Sequence, residues 1–233
     1  MLVKNWMSKK VITIEAKDSM QRAISLLKEH KIRMLPVLQR GKLVGVVTDS
    51  DLKRASASDA TMLDVHEMLY LISKIKVKDI MTKDPLTVSP DCTVEETAQL
   101  LMERKISGVP VVDEDAKVVG IITRDDLFKV LIALSGLGKQ GIQFAFQVQD
   151  RAGSIKELTD VIRDHNGKLA SILSSYEGVP VGFRNVYLRI YDIPREDLPA
   201  LQAEMQKKAK MIYVVDHRDE RREICRPSGA VAR

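Results

Sequence analysis

The chain has 233 residues, of which 45% are apolar and 30% charged, a balance typical of a globular protein with one large or two modest domains. Its net charge of +5 comes from 37 basic and 32 acidic residues without a long run of one sign, and aromatic residues make up 4%, so the composition argues against a nucleic-acid-binding protein. No apolar stretch reaches the roughly 18–20 residues that span a bilayer, and no apolar signal core opens the chain. The two cysteines, Cys92 and Cys225, lack a paired-cysteine spacing. We therefore expect a cytoplasmic protein without membrane contact.

An internal duplication organises the first part of the chain. Met7 pairs with Met81 at an offset of 74 residues. One residue is then inserted in a polar turn, and an offset of 75 pairs the stretch beginning at Gly45 with the stretch beginning at Gly120. Because the register holds over about fifty positions, we predict two structural repeats that pack as one unit.

Each repeat has the pattern strand, helix, strand, turn, strand, helix. β-branched runs predict the strands, and apolar residues spaced three and four apart predict the helices. The predicted strands are 11–14, 35–38 and 43–47 in the first repeat and 86–88, 109–112 and 118–122 in the second. Asp18-Ser19 precedes the first helix of the first repeat, and Thr93 with Glu96 forms a predicted capping box in the second.

The third strand of each repeat runs into a Thr-x-x-Asp sequence, Thr48 to Asp51 and Thr123 to Asp126, directly before a helix. One interpretation is a capping box, in which the two side chains bind free amides of the first turn. The other is a nucleotide site, in which the helix N-terminus receives a phosphate and the carboxylate accepts hydrogen bonds from a ribose diol. We call each Thr-x-x-Asp sequence, with the strand end and helix start that it joins, a Thr-x-x-Asp corner. The corner alone does not decide between the two interpretations.

The duplicated pattern closely resembles the cystathionine-β-synthase (CBS) domain family over residues 1–57 and 75–135. In that family two repeats form a Bateman module, whose two clefts bind adenine nucleotides or S-adenosyl compounds. The resemblance implies a mixed α/β fold, ribose and phosphate contacts from the Thr-x-x-Asp residues, and adenine contacts from the residues around the proline of the second strand. The implied nucleotide-binding residues are Thr13, Ile32, Arg33, Pro36, Thr48 and Asp51 in the first repeat and Thr87, Ile106, Ser107, Gly108, Pro110, Thr123, Arg124 and Asp126 in the second.

The two half-sites differ just before this proline. The second repeat has Ser107-Gly108, small residues that admit a flat ring, whereas the first has Arg33-Met34. The larger pair either blocks the first pocket or places a cation beside a phosphate. We therefore expect the second repeat to supply the more competent half-site.

Two connecting segments have different expected roles. Asp59 and a broad apolar face predict a helix in residues 58–76, which either packs across its own module or pairs two modules as a homodimer. Residues 136–141 have the glycine spacing GxGxxG, but a helical pattern precedes them and a strand follows, the reverse of a dinucleotide fingerprint. We interpret them as a linker.

The following residues predict a second domain with the order βαββαβ of a ferredoxin-like fold. Its predicted elements are a strand at 142–148, a helix capped by Ser154 and Glu157, a hairpin at 169–175 and 186–191, a helix at 194–208 and a strand at 211–215. The sequence Asp-Arg-Ala-Gly-Ser before a helix that ends in Asn-Gly resembles the ACT domain family, which implies a regulatory domain. The resemblance places an amino-acid effector at Asp150, Gly153, Ser154 and Ile155.

These patterns predict ligand sensing rather than catalysis. No nucleophile elbow, metal-ligand spacing or Walker loop is present, so we expect no catalytic residue, no metal and no catalytic cofactor. The CBS–ACT order resembles the acetoin-utilisation B-type proteins of bacteria, which implies control of a regulated enzyme of acetoin or acetyl-coenzyme A metabolism; the alternative is a structural adaptor with empty clefts. The predicted domains are repeat one at 1–57, the inter-repeat helix at 58–76, repeat two at 77–135, the linker at 136–141, the ACT-like domain at 142–217 and a mobile tail at 218–233.

Overall fold

The computed structural model describes residues 1–58 and 74–225, without the side chains of residues 56–58, so most of the predicted inter-repeat helix lies outside the described residues. The chain divides into two compact units, Met1–Phe128 and Lys129–Arg233. The helices of the first unit are α1 (Met20–His30), α2 (Asp49–Ser58), α3 (Val77–Ile80), α4 (Val94–Glu103) and α5 (Arg124–Leu134), which runs across the boundary between the units. Its strands are β1 (Ile14–Glu15), β2 (Met34–Gln39), β3 (Lys42–Thr48), β4 (Thr82–Lys83), β5 (Gly108–Val112) and β6 (Val118–Thr123).

The second and third strands of each repeat form antiparallel hairpins, as predicted. β2 pairs with β3 through a tight turn in which Arg40 and Gly41 both have positive φ, +54° and +78°, which matches the right-handed twist of the hairpin. β5 pairs with β6 in the corresponding register. The predicted caps are also present, because the side chain of Ser19 caps α1 and Thr93 with Glu96 forms a capping box on α4.

The first strands are shorter than the sequence predicted. In the first repeat the strand is Ile14–Glu15, which pairs in parallel with β2, rather than 11–14. In the second repeat the predicted strand 86–88 is wrong, because Val88 alone forms an isolated parallel bridge to Val111. Pro85 and Pro90 flank this segment, and neither has an N–H to donate to a ladder.

The opening segment of each repeat packs on the other repeat. The N–H of Val3 donates to the carbonyl of Cys92 at 2.9 Å, and the aligned N–H of Val77 donates to the carbonyl of Asp18, also at 2.9 Å. β4 of the second repeat pairs with β3 of the first, so the four-stranded sheet has the order β1-β2-β3-β4. We call residues 1–8 and 75–83 the exchanged segments.

The exchanged segment 75–83 completes the hydrophobic core of the first repeat. Val77 is fully buried among residues of the first repeat, including Met20, Leu35 and Val47. Burial of a side chain of this size contributes about 1.5–3 kcal/mol relative to its exposure. The first repeat therefore depends on the second for part of its apolar core as well as for backbone hydrogen bonds.

The second unit has the predicted βαββαβ order with one additional strand. Its elements are β7 (Ile142–Gln149), α6 (Ser154–Asp164), β8 (Lys168–Ser175), β9 (Phe183–Tyr191), α7 (Leu198–Lys208), β10 (Lys210–Asp216) and β11 (Arg221–Ile224). The sheet has the order β11-β10-β7-β9-β8, and every neighbouring pair is antiparallel. Phe144, Leu188 and Ile190 of the sheet form one core with Leu158 of α6 and Leu201 of α7.

Three sequence predictions for this unit are corrected. Residues 221–224 pair with β10, so a mobile tail beginning at residue 218 is wrong for them; their charged side chains suit an exposed edge strand. α7 begins at Leu198 rather than at residue 194. The N-cap of α6 is Gly153, with φ of +86°, instead of Ser154.

Candidate functional site

The two Thr-x-x-Asp corners have nearly the same geometry. In the second repeat, Oδ2 of Asp126 accepts hydrogen bonds from the N–H and the hydroxyl of Thr123, at 3.0 and 2.7 Å. In the first repeat, Oδ2 of Asp51 accepts the equivalent bonds from Thr48 at 3.0 and 2.6 Å. The N–H of each aspartate donates back to the threonine hydroxyl at 3.3–3.4 Å. Both corners therefore contain the complete capping box.

The corner of the second repeat lies beside the start of β5. Gly108 is the register partner of Thr123, and the N–H of Arg124 donates to the carbonyl of Ser107 at 3.0 Å. Ser107 and Arg124 are exposed, whereas Gly108 and Asp126 are buried. The strand pairing thus joins the residues that the resemblance assigned to adenine with those that it assigned to ribose and phosphate.

Gly108 is required by this close approach. A Cβ at this position would stand 2.8 Å from the carbonyl oxygen of Ile122 and 3.0 Å from Cγ2 of Thr123. The glycine therefore leaves the strand surface beside Thr123 without a side chain. A glycine in a strand is typical of positions where another backbone or a ligand approaches closely.

The first repeat has the same backbone arrangement with larger side chains. Met34 is the register partner of Thr48, and the N–H of Asp49 donates to the carbonyl of Arg33 at 3.1 Å. Met34 is buried and Arg33 is exposed. The buried methionine therefore occupies the position that is bare in the second repeat.

The other predicted residues lie on the strands around the corners. Pro36 and Pro110 are buried on β2 and β5, and Thr13 and Ile32 are half-buried next to β1 and β2. On the second-repeat side, Ile106 is half-buried and Thr87 is exposed. Thr87 precedes Val88, whose N–H donates to the carbonyl of Pro110 at 3.2 Å.

The sequence reasoning missed the part that the exchanged segments play beside the third strands. Ser8 forms a bridge with Ile121 of β6, two residues before Thr123. In the first repeat, Thr82 pairs with Val46 of β3 at the aligned position. The paired methionines at positions 7 and 81 were the available signal, but their offset gives no information about which repeat each one packs against.

In the second unit, the predicted effector residues lie near a half-buried arginine, Arg184. The hydroxyl of Ser154 accepts a hydrogen bond from Nη2 of Arg184 at 3.3 Å, and Oδ1 of Asp150 pairs with Nε of Arg184 at 3.5 Å. Glu157 pairs with Arg151 at 2.7 Å and not with Ser154, so the predicted Ser154–Glu157 capping box is wrong. The structure therefore brings Asp150 and Ser154 together beside the turn at Gly153, while Ile155 packs against the core. Arg184 was not predicted.

The described residues contain neither a candidate metal-binding cluster nor a candidate membrane-spanning helix. Residues 1–58 and 74–225 contain no group of three or more histidine, cysteine, aspartate or glutamate side chains that could hold a metal ion. None of the described helices is both long and apolar enough to cross a bilayer.

Comparison with known sequences gives matches to the duplicated region. The family model for the CBS domain matches residues 3–58 and 77–133. The uncharacterized protein MJ1426 of Methanocaldococcus jannaschii is 31% identical over 155 residues, which cover 57% of this chain and 92% of that protein. An inosine-5'-monophosphate dehydrogenase of Korarchaeum cryptofilum is 39% identical over 118 residues, which cover 51% of this chain and 22% of the enzyme. The chain thus spans about a fifth of the enzyme and nearly all of the archaeal protein.

Two solved structures are similar to the same part of the chain. The CBS domain pair of protein MJ0100, in complex with 5'-methylthioadenosine and S-adenosyl-L-methionine, is 34% identical and has a TM-score of 0.49, with 56% of this chain and 99% of that chain covered. CBSX2 of Arabidopsis thaliana, in complex with AMP, is 35% identical and has a TM-score of 0.47, with 56% and 96% covered. The family model, the archaeal relative and the duplicated corners agree, and the chain belongs to the CBS domain family.

Proposed function

We propose that the first unit is a regulatory module that binds AMP, ADP, ATP or an S-adenosyl compound, mainly at the half-site of the second repeat. The observation that carries the proposal is the junction of Ser107-Gly108 with Thr123 and Asp126. There an exposed small side chain and a glycine backbone lie next to a hydroxyl, a buried carboxylate and the N-terminus of α5. A helix N-terminus favours a phosphate, and a carboxylate can accept the hydroxyls of a ribose.

Sequence similarity supports an adenosine-containing ligand. CBSX2 and the CBS pair of MJ0100 share about a third of their residues with this chain, at 35% and 34%, and both were crystallised with such a ligand. We propose that the ligand acts as a regulatory signal without being transformed. A ligand at about 100 times its dissociation constant stabilises the unit that binds it by about 2.7 kcal/mol.

The decisive experiment exchanges single residues between the half-sites. Ser107→Arg gives the second repeat the exposed arginine of the first, and because Ser107 is exposed the fold should tolerate it. Arg33→Ser is the matched control in the other half-site. Calorimetric titration of the full chain with AMP, ADP, ATP, S-adenosylmethionine and 5'-methylthioadenosine should give binding that Ser107→Arg abolishes.

The response to Arg33→Ser decides what the arginine does in the first half-site. Tighter or additional binding would mean that Arg33 obstructs the pocket, and weaker binding would mean that it contacts a phosphate. If the unmodified protein, shown to be free of copurified nucleotide, bound none of these compounds, the proposal would fail. A structural adaptor would then be favoured, since the capping boxes of both corners are complete without any ligand.

We further propose that the second unit is an ACT-like regulatory domain in a homodimer. Asp150, Gly153, Ser154 and Ile155 would bind an amino acid beside Arg184, and the chain would control an enzyme of acetoin or acetyl-coenzyme A metabolism. The cluster of Asp150 and Ser154 around Arg184 supports an effector with a carboxylate and an amino group. Titration with the twenty amino acids, repeated with Asp150→Asn, tests the effector, and sedimentation equilibrium tests the dimer.

A further inference from the structure

One row of residues crosses all five strands on the sheet face opposite α6 and α7. The register pairs Ser171, Arg189, Gln143, Val215 and Arg222 in sequence from β8 to β11. Directly paired residues of neighbouring strands point to the same face of a sheet. This row alternates with the core residues Leu188, Phe144 and Val214, which face α6 and α7.

Arg189 is a buried cation in this row. It is 3% exposed, its Nε donates to the carbonyl of Ser135 at 2.7 Å, and its Nη2 donates to Oε1 of Gln143 at 2.8 Å. Its Nη1 is buried and has no hydrogen-bond partner among the described residues. In the described part of the chain, no carboxylate forms an ion pair with Arg189, although burial of an unpaired charge is costly.

A pocket of about 430 Å³ opens at the β10–β11 end of this face. Its lining residues are Val215, His217, Glu220 and Arg222. Nε2 of His217 is buried and, within the described residues, has no hydrogen-bond partner. Burial lowers the pKa of His217, and the nearby positive charges of Arg189 and Arg222 lower it further.

The charges around the pocket are mainly positive. Arg189, Arg222 and the unpartnered imidazole can all present N–H donors, whereas Glu220 is the one carboxylate among the described residues that line the pocket. Asp216, the neighbour of His217 in the chain, is already engaged by Arg218 through a bond of 2.6 Å. The pocket volume lies within the range of about 300–1,000 Å³ that is usual for small-molecule sites.

We propose that this pocket is a second ligand site, separate from the Thr-x-x-Asp corners and from the Gly153 turn, and that it binds a small organic anion with a carboxylate or phosphate group. Arg222 and His217 would contact the anion directly. Arg189, which is buried beside the pocket, would donate a hydrogen bond from its free Nη1 or attract the anion through its charge. Two guanidinium groups are suited to such groups because their N–H donors match the oxygen geometry. The site would give the second unit a signal of its own.

The test is an NMR titration of the full chain with sodium phosphate and, separately, sodium acetate, at an ionic strength held constant with chloride. We expect saturable shifts of the Arg189 Nε–H and His217 ring signals. Arg222→Gln and His217→Gln should each weaken binding at least about tenfold, since the first removes a charged guanidinium and the second moves the N–H donor away from the position of the ring. Both positions are near the surface, and a signal set matching that of the unmodified protein shows that the variant is folded.

Arg221→Gln is the matched control, because Arg221 is also exposed on β11 but is the register partner of Asp216 and so points to the other face. Its dissociation constants should stay unchanged. Repeating the titration in Ser107→Arg separates this site from the first unit, since binding here should persist when nucleotide binding is lost. Absence of saturable shifts with both anions would overturn the proposal, as would equal weakening by Arg221→Gln and Arg222→Gln.

Discussion

Gly45 of the first repeat lies directly against Met81 of the second. A Cβ on Gly45 would stand 2.5 Å from Sδ of Met81 and 2.8 Å from the carbonyl oxygen of Thr82. The aligned Gly120 lies against Met7, but every atom that its Cβ would meet within this range belongs to the flexible methionine side chain. The three atoms nearest to a Cβ at this aligned position thus include a backbone oxygen at Gly45 and are all side-chain atoms at Gly120.

This difference predicts unequal effects of one substitution. Gly45→Ala should lower the free energy of unfolding by about 1–3 kcal/mol, because the β3–β4 pairing must shift. Gly120→Ala should cost less than about 1 kcal/mol, since Met7 can move and alanine restricts the unfolded chain. Trp6, the sole tryptophan of the sequence, lies in an exchanged segment, so its fluorescence during urea unfolding provides the measurement. Equal losses in the two variants would contradict the role assigned to the Thr82 carbonyl.

A second prediction separates nucleotide binding from helix capping. Asp126→Ala removes one capping box and Thr93→Ala removes another, on α4, away from the corners. Each should lower the free energy of unfolding by about 1 kcal/mol. Only Asp126→Ala should also weaken nucleotide binding in calorimetry below the unfolding temperature. A similar loss of affinity in Thr93→Ala would mean that reduced stability, and not a lost contact, causes the effect.

A third prediction concerns the buried ion pair of the second unit. Asp216 is 5% exposed and accepts hydrogen bonds from Nη2 and Nε of Arg218, while Nη1 of Arg218 donates to the carbonyl of Ile193 at 2.7 Å. Arg218→Ala should destabilise the unit by about 3 kcal/mol, because it leaves an uncompensated buried carboxylate. The double variant with Asp216→Asn should recover part of this loss in thermal unfolding. If the double variant were no more stable than Arg218→Ala, the buried charge would not be the cause.

A fourth prediction is a pH dependence from His217. Burial and the charges of Arg189 and Arg222 lower its pKa, with Asp216 acting in the opposite direction and Glu220 on the same pocket wall. The unfolded chain therefore binds this proton more readily, so stability should fall as the pH drops through the ordinary histidine pKa of about 6.5. His217→Gln should flatten the profile between about pH 7 and pH 5 in a zwitterionic buffer.

The loss of stability expected when Asp216 is protonated at low pH provides an internal control for that pH profile. The hydrogen bonds from Arg218 lower the pKa of Asp216, so its stabilising effect is present above the ordinary aspartate pKa of about 3.9 and is lost as the pH falls further. This acidic loss should remain in His217→Gln. An unchanged slope between pH 7 and pH 5 in that variant would exclude His217 as its origin.

Much of the fold could be predicted because local pattern and local structure agree. The hairpin strands around Arg40-Gly41, the capping box of Thr93 and Glu96, and the end of α6 at Asn166, which has a φ of +58°, all depend on residues within a few positions of one another. Such features are encoded in short stretches of sequence. Their positions were correct to within a few residues.

The strand predictions that failed depend on long-range pairing. Whether Val88 forms a strand depends on the flanking prolines and on how many residues of β5 can pair with it. Whether residues 221–224 form a strand depends on the availability of an unpaired edge of β10. The row that aligns Arg189 with Arg222 requires the register of five strands at once. When the strand register is unknown, the sequence alone indicates only two separate surface charges at these arginines.

The exchanged segments also bear on how the protein is made. During synthesis, the first repeat is complete to the end of α2 before Val77, which fills its core, has been added to the chain. The N–H of Val3 likewise lacks its native acceptor until Cys92, whose carbonyl accepts this hydrogen bond, has been added to the chain. The nascent first repeat should therefore stay unfolded, and accessible to chaperones, until much of the second repeat has emerged from the ribosome, after which both fold in a single cooperative step.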